Sequence, residues 1–198
     1  MDKPFAEVIA SSTQDFWGEC LEPEDLGFPD LPPLGSWVKA QDEESGHWIY
    51  GVVSQGRMAP IDSLHRARAL GLTTQELRLQ QPQIFAMLKT EFQAVIIGFR
   101  DSQRDHHYLP PRPPQIHQAI YACTPEEVQR RSENLEFLRS LRQVSGIPSD
   151  ELLAATIRYC WRIHHYDRPW LVKVGRHLSI LLRNDYDQLS AVIRKLQG

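Results

Sequence analysis

The stretch Leu109–Val128, LPPRPPQIHQAIYACTPEEV, constrains this chain more than any other. Pro110, Pro111, Pro113 and Pro114 fix φ and remove backbone donors, so the chain is held extended there and cannot continue a helix or a central strand. Ile116–Cys123 follows with the pattern of a short strand. Thr124-Pro125-Glu126-Glu127 then reads as a helix start. Thr124 is the cap, Pro125 fits the first helical position, and Glu127 completes a capping box. The pattern before this stretch is mostly β and the pattern after it is helical. The stretch is therefore a joint, and the expected division is a β domain over residues 1–124 and an α-helical domain over 125–198.

In the first half, Phe5–Ala10 (FAEVIA) and Asp15–Leu21 (DFWGECL) read as a hairpin around Ser11-Ser12-Thr13-Gln14. Glu22–Gly35 is acidic and rich in proline and glycine, which predicts a long stiff loop. Ser36–Ala40 and His47–Ser54 form a second hairpin, with Gly46 free to take positive φ in the turn. Gly56–Gln83 reads as a helical excursion. Asp62 or Ser63 would cap LHRARAL, with Gly71 as its stop, and Thr73 with Glu76 would cap TQELRLQ. Ile84–Lys89 fits helix or strand. Glu91–Arg100 is a strand whose centre, Val95-Ile96-Ile97, predicts burial on both faces. Asp101–His107 reads as a polar loop.

From Thr124 onward the apolar period is helical. Val128, Leu135, Leu138 and Leu141 fall at helical spacing, with Asn134 as an interruption and Gly146-Ile147-Pro148 as a stop. Ser149 is the expected cap of Asp150–His165, in which Leu153, Ile157, Cys160 and His164 share a face. Arg168-Pro169 is read as a break before Trp170–Leu182, and Asp185–Leu196 as a last short helix. The fold class is therefore α+β: an N-terminal antiparallel β half with inserted short helices, followed by a C-terminal helical bundle of three or four helices.

Composition narrows the function classes. Residues 1–62 carry 3 Lys/Arg and 12 Asp/Glu, while the remainder carries 19 and 13, so an acidic first third faces a basic remainder within a total of −3. That total points to neither a nucleic-acid nor a membrane partner. Arginine far outnumbers lysine, which suits bidentate pairing at seams and interfaces. Cys20, Cys123 and Cys160 are few and far apart, which argues against a disulfide framework and for buried apolar roles in a reducing, cytoplasmic setting. No signal peptide and no membrane span are expected.

Catalytic signatures are missing from the sequence. It has no G-x-S-x-G, H-E-x-x-H or phosphate-binding G-x-x-x-x-G-K-[ST] motif. His106-His107 and His164-His165 are each followed by tyrosine, but adjacent histidines point apart, so neither pair makes a chelating face. Asn184-Asp185-Tyr186-Asp187 lacks the later glycine and distal Glu of a calcium loop and reads as a helix cap. No catalytic residue, metal site or cofactor is expected. The candidate partner contacts are the proline-fixed Arg112, His117, Trp17 and Trp37, and Arg158, Arg162, Arg176 and Arg183 form a candidate basic helical face. For Arg112 the alternative is a structural clasp that closes the β half, and for the tryptophans it is the core.

Three elements carry a resemblance: the turn-glycine strand LGSWVKAQ, the following Gly51-Val52-Val53 strand, and the proline link leading to IHQAIYAC and T-P-E-E-V. Over roughly residues 1–128 the chain resembles the HAS barrel, found at the N-terminus of HerA-type helicases and of the catalytic subunits of ATP synthase. It looks closest to stand-alone cyanobacterial proteins that lack the ATPase. The resemblance implies that the N-terminal β half is a small antiparallel β-barrel with inserted short helices and an assembly module, and without a phosphate-binding loop it implies no ATPase here. The expectation is a non-enzymatic adaptor with a protein partner of unknown identity and unknown oligomeric state. The alternative is an accessory factor in nucleic-acid processing that binds DNA or RNA through its arginine-rich helices.

Overall fold

The computed structural model describes residues 3–22, 31–61 and 70–197. Strands β1 (Ala6–Ser11), β2 (Asp15–Cys20), β3 (Trp37–Asp42), β4 (His47–Pro60), β5 (Leu88–Arg100) and β7 (Ala119–Ala122) close into a six-stranded antiparallel barrel in the circular order β1–β2–β5–β4–β3–β7. The two-residue strand β6 (Asp105–His106) adds to the far end of β5. Gly18 makes room for the barrel core. A Cβ there would lie 2.5 Å from Ile120 Cδ1 and 2.7 Å from the Phe92 ring, so any side chain would force these core side chains to shift. Strand β7 then bridges β1 and β3. The last strand of the proline stretch is thus the closing strand.

Strand alternation gives the barrel two buried faces. Val38, Ala40, Ile49, Val53, Ala94 and Ile96 point inward and pack with Val8, Phe16 and Phe92. Their neighbours Trp37, Tyr50, Val52, Val95 and Ile97 point outward into a second core shared with the helices. The helices are α1 (Thr74–Gln80), α2 (Pro125–Ser132), α3 (Phe137–Arg142), α4 (Ser149–Ile163), α5 (Arg168–Leu181) and α6 (Tyr186–Gln197). Val128, Phe137, Leu138, Leu141, Leu153 and Ile157 meet the outer barrel face directly or through one another. The division expected at residue 124 therefore marks a change of element type within a shared core, and the helical half packs on the barrel.

Polar contacts hold the seam in register. Glu127 completes the capping box of α2, with its backbone N–H donating to Thr124 Oγ1 at 3.3 Å and its Oε2 accepting from the Thr124 N–H at 2.9 Å. The same carboxylate takes the Lys39 ammonium at 2.7 and 2.8 Å and the Tyr50 hydroxyl at 3.3 Å. One turn on, buried Arg131 donates to Asp105 at 2.5 Å and to the His106 carbonyl at 3.2 Å, and its guanidinium lies 3.9 Å from the Tyr50 ring centroid.

Several expectations are corrected. Strand β4 continues to Pro60 instead of ending at Ser54, because its outer half is held by a ladder with β5 from Gln55↔Gln93 to Pro60↔Leu88, not by an apolar face of its own. The expected helix LHRARAL, residues 64–70, and its caps Asp62 and Ser63 lie outside the described residues, apart from exposed Leu70. TQELRLQ is helix α1 with its capping box intact. The polar loop Asp101–His107 contains β6. The strand expected over Ile116–Cys123 shrinks to β7, with Ile116 and His117 in a turn where His117 has φ +72°. Ser149 begins α4 and does not cap it. Arg168-Pro169 opens α5 and does not break the chain, because Asp167 accepts from the Trp170 N–H at 3.0 Å and proline suits the first turn. Five helices, not three or four, follow residue 124 among the described residues.

Candidate functional site

The most suggestive catalytic geometry lies where α2 ends. Ser132 Oγ is 2.8 Å from His164 Nε2, and Glu133 is 3.9 Å from His164 Nδ1. Ser132 has 0% exposure, and His164 stacks on Trp170 at 4.5 Å, with the Trp170 indole N–H donating to the Ser132 carbonyl. The cluster ties α2, α4 and α5 together inside the core, where a substrate carbonyl has no approach. Burial also pushes the Cys123 and Cys160 thiols up, which disfavours the thiolate a nucleophile needs. His106 is engaged by Asp101 at 2.7 Å and by the Tyr108 hydroxyl at 2.9 Å. Among the described residues no three His, Cys, Asp or Glu side chains converge as metal ligands.

The four candidate contact residues do not converge. Arg112 spans the β3–β4 turn. Its Nε donates to Asp42 at 2.7 Å and its terminal nitrogen to Glu44. Burial acts to raise the Asp42 pKa, but hydrogen bonds from Ser45 and Arg112 outweigh it and hold the carboxyl below its ordinary value. The proline segment is thereby clasped onto the second hairpin. His117 is exposed and meets Glu7 at 2.5 Å. Half-buried Trp17 lies under the Arg57 guanidinium, 5.2 Å from its ring centroid. Trp37 is 1% exposed and packs edge-on against Phe137 at 5.0 Å, in the shared core.

The four arginines also separate. Arg158 and Arg162 stand on the exposed side of α4, Arg183 follows the end of α5, and Arg176 is exposed on α5. Arg158 and Arg162 line a surface groove. Between the barrel mouth and α4 lies a hollow of about 620 Å³, walled by Phe5, Leu21, Leu31, Pro32 and Pro33. It adjoins a second hollow of about 430 Å³ lined by Leu34, Arg158, Trp161 and Tyr166. Pro33, Tyr159 and Arg162 belong to both, so the two form one groove.

The chain builds this groove at two special backbone positions. Gly35 has φ +80°, and a Cβ there would lie 2.5 Å from the Thr156 backbone nitrogen, so glycine lets the Pro32–Leu34 segment lie directly on α4. At the other end, His165 and Tyr166 take φ +52° and +60° in succession, a left-handed pair that costs non-glycine residues on the order of 1–3 kcal/mol each. The turn is held by the Tyr166 N–H to Trp161 carbonyl bond at 2.9 Å and sets the Tyr166 ring edge-on to Trp161 at 5.2 Å, with Tyr166 59% exposed. The Trp161 indole donates to the Asp167 carbonyl at 3.1 Å. The sequence reading singled out Arg158 and Arg162 but missed Leu34, Tyr159, Trp161 and Tyr166. Their signal was the aromatic and arginine interleaving of Arg158-Tyr159-Cys160-Trp161-Arg162 and the second H-H-Y, whose geometry serves a turn.

A separate hollow, of about 640 Å³, lies between α3 and the end of α5. It is lined by Arg139, Arg142, His177 and Arg183, with Glu136 as its carboxylate. Arg142 donates to the Leu181 carbonyl at 3.2 Å and Arg139 meets Glu136 at 3.4 Å. No helix among the described residues is long and apolar enough to cross a membrane.

Residues 5–102 match the family model of the HAS barrel domain. The match covers β1–β5, while β7, which closes the barrel, lies beyond it. No curated protein matches the chain.

Proposed function

With a HAS barrel domain over residues 5–102 as the premise, we propose that the protein is a non-enzymatic interaction adaptor that docks a partner protein in the groove along α4. The observation that carries the reading is the make-up of that groove: exposed tyrosine, half-buried tryptophan, proline and leucine walls, and two arginines, held by a strained turn. Aromatic residues and arginine are the side chains enriched at interface centres. The assembly role implied by the resemblance fits a barrel whose β3–β4–β5 face is covered by its own helices, because interaction then falls to the surface that barrel and helices build together. The test is affinity purification of the tagged chain from its native cells, beside a Leu34→Asp, Tyr166→Asp variant. The reading expects a discrete protein partner that the variant loses. Recovery of no protein partner, or of the same partner with both chains, contradicts it.

The hollow between α3 and α5 favours a second reading, the nucleic-acid accessory factor. Arg139, Arg142 and Arg183 are suited to phosphates. That reading expects binding to DNA or RNA that weakens steeply with salt and is reduced by Arg142→Gln, Arg183→Gln. It fails if no oligonucleotide binds at low salt.

A further inference from the structure

We infer that the groove along α4 takes an extended segment of a partner protein that carries acidic residues among apolar ones. The inference rests on the adaptor reading and adds the chemistry of the partner. The charge balance of the groove is its first support. Arg158 and Arg162 both stand in it, whereas Glu22 is the one carboxylate among its described lining residues. Neither arginine makes an ion pair among the described residues. Arg158 instead donates to the Lys195 carbonyl at 2.6 Å, and Arg162 lies 5.4 Å from the Tyr159 ring centroid. Each guanidinium is positioned by a neutral neighbour and keeps most of its five donors for a ligand.

Spacing is the second support. The two arginines are four residues apart on one helix, so their Cβ atoms are about 6 Å apart, and a like-charge pair there costs the isolated helix a few tenths of a kcal/mol. No carboxylate among the described residues pairs with either arginine to offset that repulsion. A carboxylate pair two residues apart on an extended chain spans about 7 Å, which matches the arginines one to one.

The groove walls are the third. Phe5, Leu31 and Pro33 on one side and Trp161 and Tyr166 on the other offer apolar and aromatic contact without a further carboxylate, so the residues between the acids are apolar. A basic or neutral segment would leave both arginines unmatched as they are desolvated.

The test uses the full chain and a phage-displayed library of random peptides. The expected consensus has acidic residues two apart with apolar or aromatic neighbours. A synthetic consensus peptide should lose affinity about tenfold with Arg162→Gln, as expected for one charge-assisted hydrogen bond. Arg158→Gln, Arg162→Gln should lose more, and raised salt should weaken binding to the wild type. Both positions are exposed, and a circular dichroism melt checks that the variants fold. The inference is overturned if no peptide is enriched, if the consensus lacks acids, or if Arg162→Gln binds as well as the wild type. Self-association of the free chain that Arg162→Gln abolishes would give the groove to a second copy and also overturn it. A native complex that survives Arg162→Gln but not Tyr166→Asp would keep the adaptor reading and remove the acidic segment alone.

Discussion

Arg131 shows how single residues join the two halves of the protein. Its guanidinium is buried against Tyr50, and Asp105 is the carboxylate that meets it at 2.5 Å. Burial acts to lower the Arg131 pKa and Asp105 to restore it. Asp105→Asn therefore strands a buried charge and should cost about 3 kcal/mol, read as a lower urea midpoint at unchanged slope. His164 adds a pH dependence. Its pKa is lowered first by burial, with Lys173 and His165 adding to the effect and Glu133 and Asp167 opposing it. A histidine with a folded pKa below its unfolded value of 6.5 gives stability that is complete above about pH 6.5 and is lost as pH falls toward the folded value. Burial, aided by Arg131, lowers His107 in the same sense. Stability measured by urea melts should thus fall between pH 7 and about pH 5, before carboxylates titrate, and His164→Gln should flatten part of that slope. An unchanged slope contradicts the assignment.

At the scale of elements, local chemistry was readable where a signal is complete within a few residues. Both threonine capping boxes form as expected from T-x-x-E, because the cap bonds need only four consecutive residues. The double burial of Val95-Ile96-Ile97 was legible because an unbroken apolar run leaves no solvent face. The second half of β4 was not, because Gln55–Pro60 is strand only through its pairing with β5. The groove was half legible. Arginines four apart on a helix can be read from spacing, but the Pro32–Leu34 wall arrives from far away in sequence, and the left-handed turn at His165 and Tyr166 has no glycine to announce it. Gly35 is the element that brings the wall to α4. Gly35→Ala forces a Cβ against the α4 backbone at a positive φ and should cost about 3 kcal/mol by chemical denaturation. A loss below about 0.5 kcal/mol, the range of ordinary surface changes, would mean the wall does not rest on α4.

At the scale of the molecule, Arg112 clasps the proline stretch onto the second hairpin, and barrel and helices share one core. Trp37, Tyr50, Val52, Val95 and Ile97 are buried only because the helices cover them. Residues 1–124 alone should therefore fail to give a stable barrel, and the full chain should unfold in one transition with coincident tryptophan fluorescence and circular dichroism. Two separated transitions would instead show the two halves to be independent units. One wall of the groove is the barrel mouth with the Pro32–Leu34 segment, and the other is α4. The claim that this groove is the partner-binding surface is tested most directly by site-specific photo-crosslinking in native cells. A photoreactive phenylalanine analogue would replace Tyr166 in the groove, or Ile180 beside the α3–α5 hollow. The account predicts a discrete protein adduct from position 166 and none from position 180. Adducts from position 180 alone, whether to protein or to nucleic acid, would contradict it.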